Sequence, residues 1–271
     1  MPTQSWSMRP SRVLDRLRRG ETVSAIKLNL GDPRIAEIAA RSGYDAVWLD
    51  FEHVPNDTSV VENMIRAAKV YNVDAIVRVR RGSYTDLTLP LEMDAAGIMV
   101  PHVMDLSDAE SIVKQTRFHP LGRRPWDGGN SDGGYCMVPP LEYIKSANEQ
   151  RLVILQIEDP EAMEHLDEIA GLDGIDMLFF GPGDFSQGIG APGQFDHPLI
   201  CEARERVAEA CKKAGKFAGT LTTPQNAEAY RKMGYQFLSL GADIIGLTSY
   251  CTGLLSQMGN DELETPPKSN Y

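Results

Sequence analysis

No apolar run in the 271 residues is long enough to span a bilayer, and the opening MPTQSWSMRP lacks the apolar core of a signal peptide. Cysteine is scarce as well. The four present, Cys136, Cys201, Cys211 and Cys251, show no CxxC spacing, which argues against a disulfide framework and points to a reducing, cytoplasmic setting. Cys201 and Cys211 are expected to pack as small apolar side chains. Positive charge is in deficit: 27 Lys and Arg face 38 Asp and Glu, giving a formal charge of −11 and a pI near 5.0. That balance speaks against nucleic acid or an anionic membrane as the main partner. It leaves room for a small anionic substrate handled by a local metal or arginine. No repeat, low-complexity tract or linker divides the chain, and its length suits one large domain.

Two short apolar stretches, Leu152–Ile157 and Met177–Phe180, have strand composition, and each ends in a polar cluster with one carboxylate, Glu158 and Asp184. Between them Pro160, Ala162, Met163, Leu166 and Ile169 follow the pattern of an amphipathic helix. Strand, helix, strand at this length predicts a right-handed βαβ unit with parallel strands. The same rhythm runs through the chain. A short helix over Ser11–Arg19 precedes strands at Val23–Leu30, Tyr44–Asp50, Ala75–Val79 and Gly97–Pro101. Helices end at Arg41, cover Val60–Val70 and lie near Ser107–Thr116. Past the central unit come a helix at Pro198–Ala214, a strand at Phe217–Thr220, a helix at Pro224–Met233 and a strand at Phe237–Leu240. A last helical segment covers Asp243–Gln257. Eight strands alternating with helices predict an α/β fold, a single-domain (β/α)8 TIM barrel over residues 21–258. Residues 1–20 form an N-terminal extension, frayed over 1–10, and 259–271 a flexible tail. Phe118–Pro140 breaks the rhythm: its glycine-rich GRRPWDGGNSDGGY reads either as a mobile surface loop or as an active-site lid.

In such a barrel the chemistry sits at the carboxyl ends of the strands. Asp50, Glu52 and His53 follow the second strand, Arg78 ends the third, Glu158 follows the fifth and Asp184 the sixth. Each alone has a plainer reading: a hydrogen-bonded loop histidine, an outward salt bridge for Arg78, helix caps for Glu158 and Asp184. Together they predict a site where two carboxylates hold a hard divalent cation, Mg2+ or Mn2+, beside a guanidinium. Zinc is disfavoured, because neither His nor Cys is expected next to Glu158 or Asp184. Gly181-Pro182-Gly183 would let backbone N–H groups approach a bound carboxylate closely.

WLDFEHVPND at Trp48–Asp57, GIMVPHV at Gly97–Val103, LQIEDPEAMEHL at Leu155–Leu166 and FFGPGDFSQGIG at Phe179–Gly190 resemble the HpcH/HpaI aldolase family. These are class II, metal-dependent pyruvate aldolases of the phosphoenolpyruvate/pyruvate barrel superfamily. The resemblance runs from about Ser24 to Gly246. It implies cleavage of a 4-hydroxy-2-keto acid to pyruvate and an aldehyde through a metal-stabilised enolate, with oxaloacetate decarboxylation as a side activity. Residue roles follow from the same resemblance. Glu158 and Asp184 are metal ligands, for Mg2+, Mn2+ or Co2+, and Gln156 positions the ligand shell. Arg78 contacts the keto oxygen, and His53 is the general base, with Asp50 and Glu52 as acidic neighbours. Glu92 falls where the family has an aspartate that orients the histidine from an adjacent subunit, and Asp94 where it has a glycine.

Gly183, Ser186 and Arg124 join Gln156 and Asp184 as candidate substrate-binding residues. Lys27 replaces a tryptophan common in the first strand, and Pro125-Trp126-Asp127 replaces glycine-valine-glycine after Arg124. Both departures fall where the acceptor aldehyde or the pocket entrance is shaped. The partners implied are a small 2-keto acid and an aldehyde, with no nucleic acid and no membrane. Further copies of the chain are implied too, as a hexamer (a trimer of dimers) that exchanges the C-terminal helical region. Two rival readings remain on the sequence. One is a citrate-lyase-like or malyl-coenzyme-A-lyase-like enzyme, for which no basic strip offers to hold the coenzyme phosphates. The other is a non-catalytic barrel that binds a keto acid.

Overall fold

Strands buried on both faces read as continuous apolar runs, and five of the runs here behave that way. In the computed structural model, which describes residues 6–258, β2 (Ala46–Asp50), β3 (Asp74–Arg78), β4 (Gly97–Val100), β5 (Leu152–Ile157) and β6 (Met177–Phe180) are buried throughout. With β1 (Val23–Leu28), β7 (Phe217–Thr222) and β8 (Phe237–Ala242) they pair in parallel, each with its sequence neighbour. β8 returns to β1 and closes the eight-stranded barrel.

Alternate strand residues fill the inside. Trp48 meets Phe179 edge to face at 5.4 Å, and Phe179 meets Phe237 at 6.2 Å. Gly219 makes room for them: a Cβ there would lie 2.8 Å from Phe179 Cδ2 and 3.0 Å from Met177 Sδ. The residues between point outward. Val47, Leu49 and Val77 pack with Ala36 of α2 (Pro33–Arg41) and with Met64, Ile65 and Ala68 of α3 (Thr58–Val70). Val153, Leu155 and Leu178 pack with residues of α5 (Leu106–Thr116), α7 (Leu166–Gly171) and α9 (Pro198–Ala214).

The floor of the barrel is closed by α1 (Arg12–Arg18), whose Val13, Leu14 and Leu17 join the interior cluster of Val23, Ala25, Ala46 and Leu152. Asp74, at the amino end of β3, holds this plug. Its carboxylate accepts from Ser11 Oγ at 2.6 Å and from Val13 N at 2.9 Å, and Arg9 Nη2 lies 2.5 Å away. Within the stretch expected to be frayed, residues 1–5 lie outside the described residues, whereas Arg9 is tied down and Met8 is buried in a cluster with Phe118 and Tyr143. The tail expected over 259–271 lies outside the described residues.

Three helices differ from expectation by existing. The first is α4 (Tyr84–Glu92), whose TDLTLPLE composition hides a Ser83/Asp86 capping box and a Pro90 tolerated within the helix. The second is α6 (Pro140–Gln150), anchored by Tyr143 and Ala147. The helix expected after Glu158 is split into a 3-10 turn over Pro160–Glu164 and α7. The third unexpected helix is α8 (Pro182–Gly188), whose first turn holds Asp184, the residue expected just past the sixth strand. The remaining helices are α10 (Ala227–Met233) and α11 (Asp243–Gln257). No helix among the described residues is long and apolar enough to cross a membrane.

Candidate active site

Period-two alternation decides which polar side chains reach the barrel mouth. Val23 and Ala25 point inward, so Lys27 does; Ala46 and Trp48 bring Asp50 with them; Ile76 brings Arg78; Leu152 and Ile154 bring Gln156 and Glu158. The result is a cleft of about 410 Å³ at the carboxyl ends of the strands, lined by Lys27, Trp48, His53, Arg78, Gln156, Glu158, Gly183 and Asp184 among others.

Register sets the first pair. Asp50 and Arg78 are cross-strand partners. The guanidinium takes the carboxylate as a fork, Nε to Oδ1 at 2.9 Å and Nη2 to Oδ2 at 2.5 Å, and places Nη1 2.9 Å from Glu52 Oε2. It also stands 5.0 Å from the centroid of the Trp48 ring, and Lys27 Nζ reaches Asp50 Oδ2 at 3.0 Å. Burial works against ionised Asp50, but Arg78 and Lys27 outweigh it and hold its pKa at about 2. Arg78 is thereby held charged and fixed.

Glu158 is 1% exposed. Its Oε1 accepts the backbone N–H of His102 at 2.9 Å and its Oε2 accepts Gln156 Nε2 at 2.8 Å. A Cβ on Gly181 would strike Oε2 at 2.5 Å, so a glycine is required beside it. Burial, with Asp184 and Glu52 adding to it, pushes Glu158 up to about 7 against the opposing pull of His102. Asp184 projects from the solvent side.

These residues fit a divalent cation. One ligand atom each of Glu158, Asp184 and His102 lie within 4.8 Å of one another. Gln156 Oε1 is buried with no hydrogen-bond partner. Lys27 and Arg78, the lysine and arginine that line the cleft, are paired with Asp50 and Glu52, which leaves Glu158 and Asp184 to face a bound cation.

The expectation that no histidine stands next to Glu158 and Asp184 is wrong. His102 lies two residues past β4, which pairs with β5 in the barrel. Its φ is +50°, a left-handed conformation that costs a residue with a side chain roughly 1–3 kcal/mol and gathers at functional sites. The ring has Nδ1 2.9 Å from Asp159 Oδ2 and Nε2 3.4 Å from Glu52 Oε1. GIMVPHV carried the signal, a histidine just beyond a strand end.

The other expected residues divide. His53 stands at the rim, its side chain 55% exposed, with Nε2 3.7 Å from Glu52 Oε2. Ser186 is buried away from the lining: Oγ donates to the Gly183 carbonyl at 2.6 Å and accepts Gly193 N at 3.0 Å, bracing α8. Arg124 is also outside the cleft. Its guanidinium is enclosed by Asp132 at 2.9 Å and the Phe118 ring at 4.7 Å, and Tyr143 donates to the same Asp132 oxygen at 2.7 Å. The long loop is thereby pinned onto α6 and, through Asp132 N to the Glu92 carbonyl at 3.3 Å, onto the end of α4. Glu92 itself lies there, beside Arg124, Asp132 and Asp127. Burial raises its carboxyl above the usual range, with Arg124 opposing. Asp94, at φ +69°, ion-pairs with Lys69 and Arg151.

Residues 26–249 match the family described as HpcH/HpaI aldolase/citrate lyase. The hydroxypyruvate/pyruvate aldolase of Pseudomonas aeruginosa is 32% identical over 234 residues, 86% of this chain and 87% of that one. The 2-keto-3-deoxy-L-rhamnonate aldolase of Klebsiella pneumoniae is 31% identical over 257 residues, 94% of this chain and 96% of that one. A solved structure of a family protein from Burkholderia cenocepacia matches with a TM-score of 0.84 at 30% identity, covering 92% of this chain and 99% of that one. A strand-end carboxylate pair in an eight-stranded barrel, a fixed arginine beside it and similarity along nearly the whole length lead to one conclusion: the chain belongs to the HpcH/HpaI aldolase/citrate lyase family.

Proposed function

We propose that this protein is a divalent-metal-dependent aldolase, cleaving a 4-hydroxy-2-keto acid to pyruvate and an aldehyde and running the addition in reverse. The observation that carries the reading is Arg78, locked by Asp50 into the same cleft as Glu158 and Asp184. A cation held by Glu158 and Asp184 supplies Lewis-acid polarisation of the substrate's keto group. Arg78 directs N–H donors toward the keto oxygen, where negative charge grows as the C3–C4 bond breaks, and its fork on Asp50 removes the need to reorganise. His53 takes the proton of the 4-hydroxyl as C4 becomes the aldehyde carbonyl, with Glu52 beside its Nε2. The proton His53 has taken is then returned to C3 of the enolate, completing pyruvate and restoring the base. Gln156 keeps Glu158 turned into the cleft. Lys27, tied to Asp50, supports the guanidinium electrostatically and forms no covalent intermediate in this scheme.

In D2O with Mg2+ and pyruvate alone, the protein is expected to exchange the methyl protons, followed by NMR. A binding barrel without catalysis leaves them untouched, and that result would remove the aldolase reading. Cleavage of malyl-coenzyme A in place of 4-hydroxy-2-keto acids would move the chain to the rival lyase class.

The assembly belongs to the same reading. α11 exposes Leu247 at 52%, Tyr250 at 66% and Leu254 at 45%, an apolar surface that exchange with a neighbouring copy would cover. Glu92 and the Arg124 loop, lying outside their own cleft, are then free to serve a neighbour's. Sedimentation of the full chain is expected to give about six times 29.9 kDa, and a monomer at micromolar concentration would refute the exchange.

A further inference from the structure

We propose that His102 is a third protein ligand of the cation site and that it biases the centre toward Co2+ and Zn2+ over Mg2+. This rests on the reading of Glu158 and Asp184 as the cation's carboxylates and adds a residue to it. The ring is brought there by the chain itself. The left-handed turn at His102 commits its backbone N–H to Glu158 Oε1 at 2.9 Å, so the residue and the carboxylate move as a unit. Ring nitrogen Nδ1 then stands 3.9 Å from that same oxygen. A His102 nitrogen, a Glu158 oxygen and an Asp184 oxygen already lie within 4.8 Å of one another. Ligands bound at about 2.0–2.2 Å sit closer together than this, so a bound ion would draw the three side chains inward.

Two neighbours make the ring more than a bystander. Asp159 lies 2.9 Å from Nδ1 and Glu52 lies 3.4 Å from Nε2, so each ring nitrogen has a carboxylate in reach. A ligating imidazole commonly uses one nitrogen for the metal while a carboxylate takes the other's proton, which fixes the tautomer and strengthens the donor. Gln156, 2% exposed, leaves Oε1 without a partner, a second buried acceptor that protein groups do not satisfy. The site is therefore not filled by its own side chains.

The consequence is selectivity. Two carboxylates with water suit a hard ion, and an added imidazole favours borderline first-row ions, in the order Mn2+ < Co2+ < Ni2+. The test uses the chelator-treated full-length chain and the metal ions alone. With Co2+, the wild-type protein is expected to show a hyperfine-shifted imidazole N–H resonance, absent in His102→Gln and in His102→Asn. Both variants should weaken Co2+ and Zn2+ binding, by calorimetry, about 10- to 100-fold, with Mg2+ changed by less than about threefold. Absence of the shifted resonance, or equal losses for Co2+ and Mg2+, overturns the assignment. The wild-type resonance decides the matter by itself if a variant does not fold. Glu158→Gln separates the two layers: if it abolishes binding of every ion while His102→Gln alters none, only the histidine is struck out. If Glu158→Gln alters none, the cation site itself goes.

Discussion

Arg78→Ala is expected to lower turnover about 1,000-fold while the substrate KM changes far less. One oriented donor at a developing oxyanion is worth roughly 10²–10³ in rate, and this donor is charged, bidentate on its anchor and nearly sealed from water. A loss of that size is about 4 kcal/mol of transition-state stabilisation. Folding should suffer too, but less. Removing one partner of a buried ion pair costs roughly 3–5 kcal/mol. Lys27, 3.0 Å from Asp50, keeps the carboxylate from being stranded and holds the cost near the lower end. A loss of about 3 kcal/mol in a chain of this size lowers the melting temperature by roughly 6–12 °C. Steady-state kinetics and a thermal melt on the same preparation check both halves. Wild-type turnover in a folded variant would take Arg78 out of the mechanism.

Stripping the metal should have the other large effect. Dialysis against EDTA is expected to take activity below about 1% of the starting rate, because the cation contributes several kcal/mol of charge stabilisation. Mg2+, Mn2+ or Co2+ should restore it. The stripped protein should also melt lower, since buried Glu158 then faces the exposed Asp184 carboxylate with no cation between them. An ion at 100 times its Kd stabilises by about 2.7 kcal/mol. Full activity after chelation, verified by elemental analysis, would end the metal role.

Much of this site was legible before any coordinates. Asp50, Arg78, Gln156 and Glu158 sit at strand ends on the inward parity, and parity can be counted along a string of letters. His102 was not legible by the same count, because a residue in a left-handed turn has left the alternation. Separation along the chain does not reveal which strands adjoin. The barrel makes β4 and β5 neighbours in space, with Val100 facing Leu155. α4 escaped notice because Thr, Pro and Leu at 84–92 weaken the helical pattern, and only the Ser83/Asp86 cap betrays it. The partners of Ser186 and Arg124 within their own protomer are not legible, since a motif records proximity along the chain and not which way a side chain turns.

The sealed floor under the barrel has a kinetic corollary. With Val13, Leu14 and Leu17 stoppering one end and aromatic rings packed above them, small molecules reach the cleft from its mouth at the other. On the proposed mechanism the fragment held by the ion and Arg78 is then expected to leave last, so that pyruvate in excess should act as a competitor for the free enzyme.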